Sequence, residues 1–561
     1  MRVIHLRTGP TPDTVIVHFA YDEELRLLVK NVPGRVYDPT KHQWRIPSTP
    51  ETLEALRATL PAGVALTADD AVKAAHATAL VALAGAESVK SAGDSNIVFE
   101  YVTQPYAHQR AGLQFLAHLG GGALLWEMGT GKTKTAIDYC EWLARRPEQD
   151  LVNAYWIKVL VICPNTVKRN WADEIVKHAV PMNWQQHVLD GTIRNRIADL
   201  ASARYSIVNC EALSIKAFAT ALQAREWDVV IVDESTRFKT PGAARTKALH
   251  KIRAKHRIIL TGTPITGKPE DAWSQLHFVA PGLLGSYWSF RDRYLELDYF
   301  KHPVGMKGST EAELRKLIAS RSYRVLKADV LDLPPKVYTK RTVELDGDQA
   351  KAYRQMQHDL AVQIAGMEHV TAANILTVLL RLTQITSGMV GAAGKYTWID
   401  KGNAKLAELD DLLNDELRGE QVVIFGQYQR ELEELGLRYD AGDSIIYGPT
   451  PETVRHEIIS QFQAGTRRLL FAQQRTGGIG INLTAAQTAI YYSRSWSLEE
   501  WLQSQDRLHR IGQKGTVTIL TLLAKGTIDE EIEKALNTKQ NLADRLTGDD
   551  ARRLARVLLE R

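Results

Sequence analysis

Residues 122–137, GALLWEMGTGKTKTAI, carry the types and spacing that suit a bound polyphosphate. Gly129 and Gly131 let backbone N–H groups close round an anion with no Cβ in the way, and a helix opening at Lys132 adds its positive dipole end. Lys132 can reach the outer phosphates, and the Thr133 hydroxyl can hold Mg²⁺. The strict G-x-x-x-x-G-K-[ST] pattern wants glycine where this chain has Trp126, so a chance Gly-Lys-Thr stays open on the motif alone. A second group, WDVVIVDEST, sets Asp233 and Glu234 at the end of an apolar run, where ligands of open α/β sheets bind. Asp233 would hold Mg²⁺ and Glu234 would polarise an attacking water; the alternative is a helix N-cap followed by a first-turn acid. A third, QSQDRLHRIGQK, supplies Arg507 and Arg510, three apart and on one face if helical. Their guanidiniums could meet a γ-phosphate, although such a pair is commonly a solvated face. Cradle, Mg²⁺ carboxylate, water-activating acid and positive charge are the parts that phosphoryl transfer from ATP requires.

Such residues need parallel strands to position them. Between 101 and 280 the runs GGALLW, KVLVICP, YSIVNC, WDVVIVD and RIILTGT alternate with helical patterns, predicting a parallel sheet covered on both faces. After 281 strand signals stop, and 281–395 reads as a helical insertion or connector broken by LDLPPK. A second set, QVVIFGQY, DSIIYG, RRLLFAQ, QTAIYYS and TVTILTLL, predicts a second α/β lobe over 396–526. The tail, 527–561, has helical intervals that suit a brace on that lobe. Residues 1–65 read as a small α/β domain with a hairpin at RVYDPTKHQWRIP, and 66–100 as an Ala-rich helical linker ending in a flexible joint. Two similar lobes and one phosphate loop imply a site in the cleft between them.

Composition narrows the class. A chain of 561 residues with 44% hydrophobic and 24% charged residues suits a multidomain globular protein, and no apolar run approaches a membrane span. The N-terminus lacks a signal-like apolar region, and Cys140, Cys163 and Cys210 have neither disulfide nor metal-ligand spacing. A reducing, cytoplasmic setting is expected, with no membrane partner; a bacterium or a phage-infected cell is expected only from the compact build and the Asp233-Glu234-Ser235-Thr236 sequence. Net charge is only +5, so clusters matter more than the total. Lys168 with Arg169, and Arg321, Arg324, Lys327, Lys336, Lys340 and Arg341, are candidate phosphate contacts, solvated faces being the alternative.

In this company the chain resembles the Snf-type DNA translocases of helicase superfamily two. PYAHQ with Gln109 resembles the adenine-recognising Q motif, EMGTGKT motif I, VLVICPNTVKRNW motif Ia and VVIVDEST motif II. LTGTPI resembles motif III, QVVIFGQY motif IV, TGGIGINLT motif V and QDRLHRIGQ motif VI. The resemblance implies two RecA-like parallel-sheet lobes in tandem, ATP and Mg²⁺ as cofactors, and double-stranded or forked DNA as partner of a monomeric motor. It further implies nucleotide binding by Gln109, Gly129, Thr130, Gly131, Lys132 and Thr133, and catalysis by Lys132, Glu234, Arg507 and Arg510. Thr261, Gly262 and Thr263 would couple nucleotide to nucleic acid, and Arg475, Thr476, Gly477 and Gly478 would touch the backbone.

Departures from the family pattern are informative. Motif II reads Asp233-Glu234-Ser235-Thr236 where the family shows DEAH, so the link normally made by the histidine must use a hydroxyl or be absent. Ser493 stands where an Asp is often found after motif V. The insertions look short beside those of chromatin remodellers, so nucleosome work is not expected. NVPGRVYDPTKHQWRIP, through Tyr37, Asp38, Lys41 and Trp44, resembles the HARP domain of annealing helicases, a small hairpin with a core Trp44 being the alternative. The implied activity is ATP-dependent translocation on duplex DNA with fork remodelling or annealing. A strand-separating DNA or RNA helicase and a non-catalytic DNA-binding scaffold are the alternatives.

Overall fold

The computed structural model describes residues 2–11, 14–32, 34–146, 157–181, 186–200, 203–262, 270–299, 303–366, 372–392, 395–399, 402–475 and 481–537. It divides into two units, Met1–Val330 and Leu331–Arg561.

The first unit opens with a five-stranded sheet of order β3-β4-β2-β1-β5, built from β1 (Arg2–Thr8), β2 (Thr14–His18), β3 (Val36–Asp38), β4 (Gln43–Pro47) and β5 (Val64–Ala68). Alternation turns Ile4, Leu6, Val15 and Val17 inward against Leu25, Val29, Leu53 and Leu56 of the helices Glu23–Asn31 and Pro50–Ala58. β5 adds in parallel to β1, so the small domain runs past the expected boundary at 65. The helix Asp70–Ala92 follows and stops at Gly93, whose φ of +68° turns the chain. The expected flexible joint beyond it is tied down. Arg110 grips Asp94 at 2.7 Å, and the Asn96 N–H donates to Gln114 Oε1.

The unit's second sheet comprises β6 (Gly121–Trp126), β7 (Val159–Cys163), β8 (Gln186–Val188), β9 (Tyr205–Asn209), β10 (Glu226–Asp233) and β11 (Arg253–Leu260), with β14 (Ser322–Val325) beyond the hairpin of β12 (Leu295–Leu297) and β13 (Pro303–Met306). Its order is β14-β6-β11-β10-β7-β9-β8, and every pairing is parallel. Successive residues of the central strands face two separate cores, Val159, Val161 and Ile231 on one side, Leu160, Ile162 and Val232 on the other. That double cover is why these strands read as unbroken apolar runs.

Strand signals were expected to stop at 281, and they do not. β14 closes one edge of this sheet beside β6, and the hairpin β12–β13 packs with three helices round Leu276, Phe290, Tyr294 and Leu314. Short edge strands bury only one pairing side and need no long apolar run.

The second unit begins with β15 (Lys336–Val343), immediately after the LDLPPK break. The helices Gly347–Gly366 and Ala372–Thr386 come next, then the hairpin β16 (Met389–Ala392) and β17 (Lys395–Trp398). β18 (Val422–Gly426), β19 (Ile445–Ile446), β20 (Leu469–Gln473), β21 (Thr488–Tyr491) and β22 (Val517–Ala524) complete an all-parallel sheet of order β15-β22-β21-β18-β20-β19. The stretch 281–395 is therefore shared between two α/β lobes. The brace helix Ile528–Asn537 sends Ile528, Ile532, Ala535 and Leu536 into the second lobe's core; residues 538–561 lie outside the described residues. Among the described residues the three cysteines are buried and unbridged, and no helix is long and apolar enough to cross a membrane.

Candidate nucleotide site

β6, β11 and β10 lie side by side, with Leu124, Leu260 and Asp233 in register. At ~4.8 Å per strand spacing, the loop after β6 and the acids after β10 stand roughly 10 Å apart at the carboxyl end of the sheet. β11 runs between them, and its end meets the loop: the Thr261 N–H donates to Leu124 O, and a Cβ on Gly262 would touch Trp126 O at 3.4 Å.

The loop has the conformation its glycines allow. Gly129 and Gly131 have φ of +81° and +88°, and Gly131 opens the helix Lys132–Ala144. Trp126, the departure from the phosphate-loop pattern, is the fully buried last residue of β6, its ring edge-on to Tyr323 and His108. The pattern's first glycine falls on a core position here, and the loop's turns need no glycine at 126. Two side chains hold the loop from below. His108 Nε2 lies 2.8 Å from Thr130 O and Gln109 Nε2 lies 3.1 Å from it, while Gln109 Oε1 accepts from Tyr106 N. Facing a carbonyl, His108 Nε2 must carry the proton. Thr130 Oγ1 donates to Glu127 O at 2.7 Å. Lys132 Nζ donates to Trp126 O at 2.7 Å and to Glu127 O at 3.2 Å, so its ammonium sits within the loop's curve.

Trp171 Nε1 donates to Asp233 Oδ2 at 2.8 Å and Glu234 N to Oδ1 at 2.9 Å, and both bonds help orient the carboxylate. Asp233 and the Thr133 hydroxyl are the hard oxygen donors that Mg²⁺ prefers, so the residues fit the ion. Glu234 adopts φ +48° and ψ +54°, a left-handed conformation costly for a residue with a Cβ. Backbone strain of about 1–3 kcal/mol persists where the surroundings over-determine it, commonly at functional sites. Ser235 and Thr236, in place of the family's Ala-His, are both buried, and Ser235 Oγ donates to Gln275 Oε1 at 2.6 Å.

In the second unit Arg507 and Arg510 do not share a helix face. The helix Leu498–Gln505 ends before them, and Arg507 O accepts from Leu483 N at 3.0 Å. Arg507 is nearly buried and Arg510 half-buried. Gln513 of the same motif braces the turn, donating to Ala486 O and Leu508 O. Ser493 Oγ donates to buried Glu431 at 2.7 Å and accepts from Gln427 N, so a hydroxyl and a glutamate fill the place where an Asp was expected. Burial pushes the Glu431 carboxyl up to about 7.

The basic stretches are mostly paired. Lys168 is buried with its ammonium on Asp190, and the exposed Arg169 reaches the same carboxylate at 3.9 Å. Arg321 pairs with Glu51, Lys336 with Asp506, Lys340 with Glu533 and Arg341 with Glu416, which leaves the run from 321 to 341 no continuous basic face. Arg475 is exposed; Thr263, Thr476, Gly477 and Gly478 lie outside the described residues. His108, Trp171 and Gln275 were not singled out from sequence. The signals available were a buried indole, which needs an acceptor, and a histidine beside the Q-motif glutamine.

A parallel sheet with a glycine-turned loop after one strand and an Asp-Glu pair at the end of another defines the class of nucleotide-binding α/β domains. Residues 108–388 match the SNF2-related domain, and 404–512 match the helicase conserved C-terminal domain. The chain belongs to the Snf2 family of superfamily-two helicases. It is 27% identical over 473 residues to an uncharacterized ATP-dependent helicase of Mycoplasma pneumoniae, covering 82% of this chain and 43% of that protein. It is 29% identical over 472 residues to the putative ATP-dependent helicase/translocase YwqA of Bacillus subtilis, covering 80% and 49%. It thus spans less than half the length of these relatives. The solved SWI2/SNF2 ATPase core of Sulfolobus solfataricus in complex with dsDNA is 26% identical, with a TM-score of 0.39, covering 82% of this chain and 98% of that one.

Proposed function

We propose that the chain is an ATP-driven motor that tracks along duplex DNA. The observation that carries the ATP-hydrolysing part of the reading is the register of Leu124, Leu260 and Asp233, with the loop at 129–133 and the Asp233-Glu234 pair at the carboxyl end of one sheet. ATP is the substrate. Gly129, Thr130 and Gly131 would wrap its phosphates with backbone N–H groups, Gln109 would meet the adenine with the amide N–H and lone pair it does not spend on the loop, and Lys132 would move from the loop carbonyls to the γ-phosphate. Thr133 and Asp233 would hold Mg²⁺, which would supply charge neutralisation at the phosphates. Glu234 orients and deprotonates the attacking water. Arg507 and Arg510, from the second unit, would meet the charge that develops on the γ-phosphate, so that hydrolysis changes how the two units grip DNA. Arg169, Thr263, Arg475, Thr476, Gly477 and Gly478 would touch the backbone; Lys168 and Arg169 would do so by leaving Asp190.

The N-terminal domain is assigned to forked DNA and reannealing, on its resemblance to the HARP domain. Tyr37 and Trp44 stand directly opposite on β3 and β4 with ring centroids 4.8 Å apart, and Asp38 Oδ1 accepts from Thr40 and Lys41 N–H to set the turn. The domain is fixed to the first lobe by the Arg321–Glu51 pair and by Arg293 donating to Asn31 O.

The test is phosphate release by the full chain on forked, duplex and single-stranded DNA and on RNA, with a strand-displacement assay alongside. Strong duplex stimulation without displacement supports the translocase. Displacement of a paired strand would make it a strand-separating helicase, and no stimulation by any nucleic acid would leave a scaffold.

A further inference from the structure

We infer that Gln275 is a positioning residue for Glu234, acting through Ser235. The inference rests on the hydrolytic reading above and deepens it, by naming what replaces the histidine that motif II lacks.

Glu234 is held in a left-handed conformation that its side chain does not favour, so the turn after it must be fixed from outside. That turn is the short 3₁₀ segment Ser235–Phe238. Two consecutive residues of the helix Asp271–Val279 clamp its two ends. Ser235 Oγ donates to Gln275 Oε1 at 2.6 Å, and Ser274 Oγ donates to Phe238 O at 2.6 Å. Ser235, Ser274 and Gln275 are 1%, 1% and 3% exposed, so water does not compete for these bonds. The Gln275 amide is itself locked, because Nε2 donates to Asp271 O at 2.9 Å and leaves Oε1 facing Ser235. A third tie, Lys239 to Asp271 at 3.4 Å, joins the residue after the turn to the start of the same helix.

The helix Asp271–Val279 begins six residues after the end of the LTGTPI motif in the sequence. The strained turn bearing the water-activating acid is thus tied to the segment that leads away from motif III. The hydroxyl that makes this link is Ser235, one position before the residue that aligns with the family's histidine. A glutamine forty residues on supplies its acceptor.

The experiment compares wild type, Gln275→Met, Ser235→Ala and the double variant for kcat and KM of DNA-stimulated ATP hydrolysis, with a thermal melt of each. Methionine keeps the volume and removes the amide; alanine removes only the hydroxyl. The inference expects kcat to fall about ten-fold in each single variant with KM for ATP within two-fold. The double variant should be no slower than the slower single, and Gln275→Glu, which keeps an acceptor for Ser235, should recover part of the rate. Unchanged kcat in the singles, or losses that multiply in the double, would overturn the positioning role while leaving the wild-type activity and the proposed function standing. A wild-type chain that hydrolyses no ATP with DNA would overturn the functional reading, and this inference with it.

Discussion

Trp171→Phe isolates one bond of the site. The indole N–H donates to Asp233 Oδ2 at 2.8 Å from a ring that is 1% exposed, and phenylalanine keeps most of the apolar packing while deleting the donor. A hydrogen bond to a charged acceptor contributes about 1.5–3 kcal/mol, and a lost partner of a metal-binding carboxylate typically costs ten- to a hundred-fold in metal affinity. The smaller ring adds a packing loss of about 1–2 kcal/mol to the fold, which thermal unfolding reads separately. The site reading therefore expects the Mg²⁺ concentration for half-maximal ATP hydrolysis to rise at least ten-fold, with a maximal rate approached again at high Mg²⁺. The assay is initial phosphate release against free Mg²⁺ at fixed ATP and DNA, below the melting temperature of the variant. An unchanged Mg²⁺ requirement would show that Asp233 does not hold the ion in the orientation Trp171 imposes.

Gly131→Ala forces a Cβ into a left-handed position 2.0 Å from Gln109 Nε2, and should weaken ATP binding by at least ten-fold in a fluorescent-nucleotide titration while the melting temperature moves by only a few degrees. Arg510→Ala should lower kcat by a hundred-fold or more with ATP affinity within about three-fold, since a transition-state cation acts on turnover rather than on ground-state binding. Glu431 titrates near 7 in the fold against about 4.5 when exposed, so its folded value is raised. Its contribution to stability is present below the unfolded value and lost as pH rises through about 7. Denaturant unfolding at pH 5 and pH 8 should then show wild type losing roughly 2–3 kcal/mol relative to Glu431→Gln, and parallel curves would contradict the burial account.

The central strands and the phosphate loop were legible because their signals are local. Runs such as WDVVIVD and QVVIFGQY need two covered faces, and the loop's φ values require Gly129 and Gly131. The edges were not legible: β14, Ser-Tyr-Arg-Val, has no apolar run, since its membership depends on pairing with β6 two hundred residues earlier in the chain. The arginines of motif VI would share a face only if helical, and the helix Leu498–Gln505 stops short of both. Lys168 read as a phosphate contact because its partner, Asp190, is twenty-two residues away. The supports of the site, Trp171 on Asp233 and Gln275 on Ser235, bridge sixty-two and forty residues, distances over which sequence spacing carries no signal.

The most direct test of the motor reading is phosphate release by wild type and Lys132→Ala, each with and without duplex DNA, with DNA binding followed in parallel. The account predicts that duplex DNA accelerates wild-type hydrolysis at least ten-fold, and that Lys132→Ala binds DNA yet releases no phosphate above background. Hydrolysis that ignores DNA, or that survives the loss of Lys132, would contradict it.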